Sequence, residues 1–118
     1  VRVETDRTPF TATLDPGTVL RLPIAHGQGR YVVTDQQLAE LEANDQIVFR
    51  YTDGRGQEHA DFNPNGSIAH IAGVCNRQGN VVGLMPHPER AYDALLGGDE
   101  GLKILRSVVE AGLAAVRA

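Results

Sequence analysis

The 118 residues suffice for one domain with one small core, and 42% hydrophobic against 22% charged residues is the balance of a globular chain and not of a disordered tail. Eleven Lys and Arg against fifteen Asp and Glu leave a net charge of −4, which disfavours the phosphate-dominated contacts that nucleic acids and anionic membranes require. The single cysteine, Cys75, excludes an internal disulfide, and with neither a signal peptide nor an apolar stretch of spanning length the expected home is cytoplasmic.

In chain order, the first residue is Val1 and not Met, and it already sits in the strand-like run Val1-Arg2-Val3-Glu4, as though cut from something longer. Val19 to Ala25 and Arg30 to Val33 read as strands, with a glycine-bearing loop, His26-Gly27-Gln28-Gly29, between them. Thr34 and Gln37 have capping-box spacing, and Leu38 and Leu41 follow at helical spacing, which predicts a short helix from about Asp35 to Ala43. Gln46 to Tyr51 returns as a strand. The stretch Thr52 to Gly66 is loop, because Asp53-Gly54, Arg55-Gly56 and Asn63-Pro64-Asn65-Gly66 are all turn signals.

Ile71 to Cys75 and Val81 to Met85 flank Asn76-Arg77-Gln78-Gly79-Asn80 and read as a hairpin. Finally, Asp99 can cap a helix reaching about Arg117, with Leu102, Leu105, Val109, Leu113 and Val116 at helical spacing and Ile104 and Val108 beside them. That stripe is expected to face the core. Strands followed by a long amphipathic helix indicate an α/β protein whose sheet continues beyond this chain, the β-rich middle being an elaboration at its edge.

Met85-Pro86-His87-Pro88-Glu89-Arg90 is the most informative segment. Pro88 pushes His87 into extended backbone, where residues two apart project to the same side, so His87 and Glu89 can meet. A carboxylate on one imidazole nitrogen raises the basicity of the other, as a general base for a Ser or Cys nucleophile requires. By spacing alone, a rigid turn carrying a solvated histidine and glutamate is the commoner reading. Its position at the carboxyl end of a strand, where open α/β sheets place their ligands, favours a site.

These residues resemble the His/Glu segment of the class I glutamine amidotransferases. The chain is further similar to the glutaminase subunits and domains of phosphoribosylformylglycinamidine synthases. That likeness is carried, in order, by Thr8-Pro9-Phe10-Thr11, Pro23-Ile24-Ala25-His26-Gly27-Gln28-Gly29-Arg30-Tyr31, Val48-Phe49-Arg50-Tyr51, Asn63-Pro64-Asn65-Gly66-Ser67, and Ile71-Ala72-Gly73 with Gly79-Asn80-Val81. It covers nearly the whole chain and implies that residues 1–118 are the C-terminal part of a flavodoxin-like α/β amidotransferase domain, with a β-rich insertion and a terminal helix.

The implied activity is hydrolysis of glutamine to glutamate and ammonia through a γ-glutamyl thioester, serving purine biosynthesis, with no cofactor in this chain. The implied partners are glutamine, a large synthetase subunit that receives the ammonia and, in some bacterial members, a small bridging subunit. His87 would be the general base and Glu89 its orienting partner, while His26, Gly27 and Gln28 would lie against the glutamine. Gln28 stands where the family commonly has glutamate, a change that keeps size and removes a charge. For His26 the plainer alternative is a loop histidine capping backbone groups.

Cys75 does not fit a nucleophile elbow, which needs small residues two before and two after: Gly73 satisfies the first place, Arg77 occupies the second, and a strand follows instead of a helix. It reads as a small strand residue, and the resemblance puts the nucleophile in the family's N-terminal part. Glu58, His59, Asp61 and His70 lack the spacing of the usual zinc motifs, so no metal is expected. The alternatives are a catalytically inert module that docks on the synthetase, or part of another class I amidotransferase, such as one feeding GMP or imidazole glycerol phosphate synthesis. The Pro23-Ile24-Ala25-His26-Gly27 run argues against the latter.

Overall fold

The structure, a computed structural model, describes residues 1–22, 31–64, 66–86 and 100–117. β1 (Arg2–Val3) is short and lies antiparallel on β2 (Ile47–Arg50), Arg2 facing Arg50 and Val3 facing Phe49. β2 pairs antiparallel with β3 (Ile71–Cys75), and β3 with β4 (Val82–Leu84). Among the described residues the sheet order is β1-β2-β3-β4. The β3–β4 hairpin closes as expected through Asn76, whose Oδ1 accepts from Asn80 N–H at 3.0 Å and Val81 N–H at 3.2 Å. Gly79 takes φ +78° there, a conformation open to glycine at little steric cost.

The core gathers Val3, Leu14, Leu20, Val48, Phe49, Tyr51, Ala72, Cys75 and Ile104 around this sheet. Gly73 is required by that packing: a Cβ there would stand 3.0 Å from Leu84 Cδ1, 3.0 Å from Phe49 Cδ2 and 3.1 Å from the Gly83 carbonyl. Gly73→Ala is therefore expected to cost about 1–3 kcal/mol through overpacking. The measurement is the denaturant midpoint at unchanged slope; an unmoved midpoint would mean that Phe49 and Leu84 shift aside freely.

α1 (Asp35–Ala43) has the boundaries expected from the sequence, and its capping box is formed: Gln37 N–H donates to Thr34 Oγ1 at 3.2 Å, and Thr34 N–H donates to Gln37 Oε1 at 2.9 Å. Two expected strands, Val19 to Ala25 and Arg30 to Val33, are not formed over their described residues, 19–22 and 31–33. Residues 18–20 run beside β1, with Val3 N–H donating to the Thr18 carbonyl and Leu20 N–H to the Val1 carbonyl, yet the pairing amounts to a single bridge between Arg2 and Val19. Leu22 precedes Pro23, which has no N–H to extend a ladder. Residues 31–33 are irregular, because the Tyr31 backbone bonds to Ser67 and Ile68 instead of to a strand.

α2 (Gly101–Arg117) is helical as expected, but the inward face differs. Ile104 is 1% exposed and Ser107 0%, while Leu105 at 37%, Val109 at 60% and Leu113 at 43% face outward. The side chain of Val116 and the expected cap Asp99 lie outside the described ones. The reason is a polar anchor: Ser107 Oγ donates to the Pro9 carbonyl at 2.8 Å and accepts from Thr13 N–H at 3.1 Å. The helix is thereby rotated so that its small-residue side meets the segment containing buried Thr8, Thr11 and Leu14. No helix among the described residues is long and apolar enough to cross a membrane.

Candidate active site

His26, Gly27, Gln28, His87 and Glu89 all lie outside the described residues. What the structure provides is the frame from which their segments depart. β4 ends at Leu84, and one more ladder-like bond follows, from Met85 N–H to the Ala72 carbonyl at 3.1 Å. Pro86, the last described residue before His87, is buried and has no N–H to donate.

Pro86 and Leu22 line the same cleft of about 630 Å³, along with Leu20, Tyr51, Arg21, Asp53, Asp61 and Glu100. The far ends of the two segments are brought near this frame as well. Glu100, which follows residues 87–99, accepts a hydrogen bond at Oε2 from the backbone N–H of Arg21. Tyr31, which follows residues 23–30, lines a second groove of about 340 Å³ with Leu84 and Met85. Leu22 and Tyr31, which flank residues 23–30, and Pro86 and Glu100, which flank residues 87–99, therefore have neighbours in common. Nothing in local sequence pattern marks Glu100 for this role, because its partner is 79 residues away.

The cleft has a fixed anionic wall. Asp53 Oδ1 accepts from Gln57 N–H and Arg55 N–H, both at 2.9 Å. These bonds, that from Gln57 foremost, hold its carboxyl below the usual carboxylate range. His59 Nε2 stands 3.4 Å from Asp53 Oδ2.

The other polar residues of the loop go to separate partners: Glu58 Oε2 accepts from Arg2 at 3.2 Å, and His70 Nδ1 lies 3.0 Å from Asn63 Nδ2. Among the described residues no group of three or more His, Cys, Asp or Glu could hold a metal ion.

Cys75 sits in β3, 5% exposed, with Arg7 Nη2 donating to Sγ at 3.2 Å. Burial pushes its thiol up despite the opposing Arg7 charge, the reverse of what a nucleophilic thiolate needs. The same Arg7 donates to the carbonyls of Asp45, Asn76 and Arg77, so the cysteine lies within a structural staple.

Fold and frame are those of an α/β class I glutamine amidotransferase fragment: residues 1–97 match the model of the CobB/CobQ-like glutamine amidotransferase domain, and the chain belongs to that family. Among individual relatives, the chain is 66% identical over 113 residues to phosphoribosylformylglycinamidine synthase subunit PurQ of Thermomicrobium roseum, covering 96% of this chain and 48% of that protein. It is 50% identical over 109 residues to the subunit PurQ of Aquifex aeolicus, covering 92% and 48% respectively. A chain in the solved structure of PurLQS from Thermotoga maritima superposes with a TM-score of 0.73 at 43% identity, over 93% of this chain and 44% of that one. The chain thus spans about half the length of the curated relatives it matches.

Proposed function

We propose that this chain is the C-terminal part of the glutaminase subunit of a phosphoribosylformylglycinamidine synthase, working in the cytoplasm. The subunit hydrolyses glutamine and passes the ammonia to a large synthetase, through a small bridging subunit where the assembly has one. The observation that carries this reading is that Leu22, Pro86 and Glu100, which flank residues 23–30 and 87–99 in the chain, line one cleft. The 66% identity to a PurQ subunit supports the choice of synthetase.

His87 takes the proton of a cysteine thiol supplied by the other half of the domain. The sulfur attacks the γ-carboxamide carbon, the C–N bond breaks as the nitrogen is protonated, and ammonia leaves a thioester that water cleaves to glutamate. Glu89 orients the imidazole, and His26, Gly27 and Gln28 hold the substrate.

Cys75 takes no part in this chemistry. Incubating the 118-residue chain with a diazo-ketone glutamine analogue and measuring intact mass is expected to show no adduct. The same probe on the full-length protein is expected to add once, at a cysteine outside this chain. A glutamine-protectable adduct on Cys75 would overturn the assignment, and a full-length protein inert to the probe and to glutamine would leave a docking module.

A further inference from the structure

We infer that Asn63 is a positioning residue for glutamine use: its carboxamide clamps Ser67, and through Ser67 it fixes Tyr31, the residue that follows the 23–30 segment. The inference rests on the reading of His26, Gly27 and Gln28 as the glutamine-facing loop.

The Asn63 side chain holds both backbone groups of one residue. Its Oδ1 accepts from Ser67 N–H at 3.0 Å, and its Nδ2 donates to the Ser67 carbonyl at 2.9 Å. With oxygen and nitrogen so assigned, the remaining Nδ2 hydrogen points to His70 Nδ1 at 3.0 Å. Both Nδ2 hydrogens are then used.

The far end of the loop is held as tightly. Ala69 and His70 sit in the left-handed region at φ +51° and +58°, which non-glycine residues keep only where their surroundings over-determine it. Arg50 Nε donates to the Ala69 carbonyl at 3.1 Å, and Tyr51 N–H donates to the His70 carbonyl at 2.7 Å.

This rigid platform grips Tyr31 on both sides of its Cα. Tyr31 N–H donates to Ser67 Oγ at 3.2 Å, and Ile68 N–H donates to the Tyr31 carbonyl at 2.9 Å. Ser67 is 4% exposed, which limits the access of water to these bonds. The path from the Asn63 amide to the Tyr31 backbone thus runs through hydrogen bonds of 3.2 Å or less. A loop that meets substrate needs its ends placed to within a fraction of an ångström, because small misplacements far from the reacting atoms weaken binding or rate. Asn63 sets one of those ends.

The test uses the full-length protein assayed with its synthetase. Asn63→Ala is expected to raise the KM for glutamine about tenfold while kcat stays within about twofold, the signature of lost substrate placement with intact chemistry. Synthesis driven by added ammonia is expected to be unchanged. Ser67→Ala keeps the backbone groups that Asn63 holds but removes the Oγ acceptor for Tyr31, and it is expected to raise the glutamine KM in the same direction. A glutamine KM within about twofold of wild type in both variants overturns the inference, as does a parallel fall of kcat and of ammonia-driven synthesis in both. Wild-type protein without glutaminase activity removes the underlying reading; wild-type activity with an unmoved KM removes this inference alone.

Discussion

Replacing His87 with alanine in the full-length protein is expected to lower glutamine hydrolysis about 10²–10⁴-fold, the usual cost of losing a general base. Ammonia-driven synthesis by the partner is expected to survive, because the proposed function puts the amide-splitting and the ammonia-using chemistry at different sites. Glu89→Ala should move the same rate in the same direction by less, since the proposed role of the carboxylate is only to orient an imidazole that remains present. The comparison of glutamine-supported with ammonia-supported turnover separates a damaged base from a damaged fold. Wild-type glutamine turnover in His87→Ala would sink the assignment of both residues.

The second large effect concerns α2. Ile104 is 1% exposed and belongs to the core cluster with Val3, Val48 and Phe49. Ile104→Ala is therefore expected to cost about 2–5 kcal/mol, as truncation of a fully buried aliphatic side chain does. Leu105, its neighbour, is 37% exposed, and its truncation in the same chain is expected to cost well under half as much. Thermal or denaturant midpoints of the two variants measure the difference. Equal losses, or a larger loss for Leu105, would show that the helix is seated on its other face.

Those two residues show where reading along the chain succeeds and where it stops. The capping box of α1 is legible because Thr34 and Gln37 satisfy each other's backbone groups within one turn. β3 and its hairpin are legible because an apolar run and a glycine turn are both local. Spacing correctly finds α2, but it cannot tell which flank turns inward. Ser107 decides that by reaching Pro9 and Thr13, 98 and 94 residues away. Residues 19–22 do not form a strand for a similar reason, since strand-like composition says nothing about how few partners they meet.

The site divides the same way. His87, Glu89 and the His26 loop stand out as motifs, whereas the groups that would hold them in place do not. Asn63 reads as a turn former within one of the runs that carry the family likeness, and Glu100 as one more acid at a helix start. Glu100 acquires its role from Arg21, and Asn63 through the reach of Ser67 to Tyr31. Cys75 is the converse: an elbow-like glycine precedes it, yet its burial and Arg7 make it part of the scaffold.

The outward stripe of Leu105, Val109 and Leu113 has a practical consequence for anyone handling the chain by itself. Uncovered aliphatic surface of this kind is where copies of a molecule adhere to one another, and self-association couples every melting or binding measurement to how much protein is in the tube. Dilution series, and not single-concentration scans, are the proper basis for comparing variants of this chain.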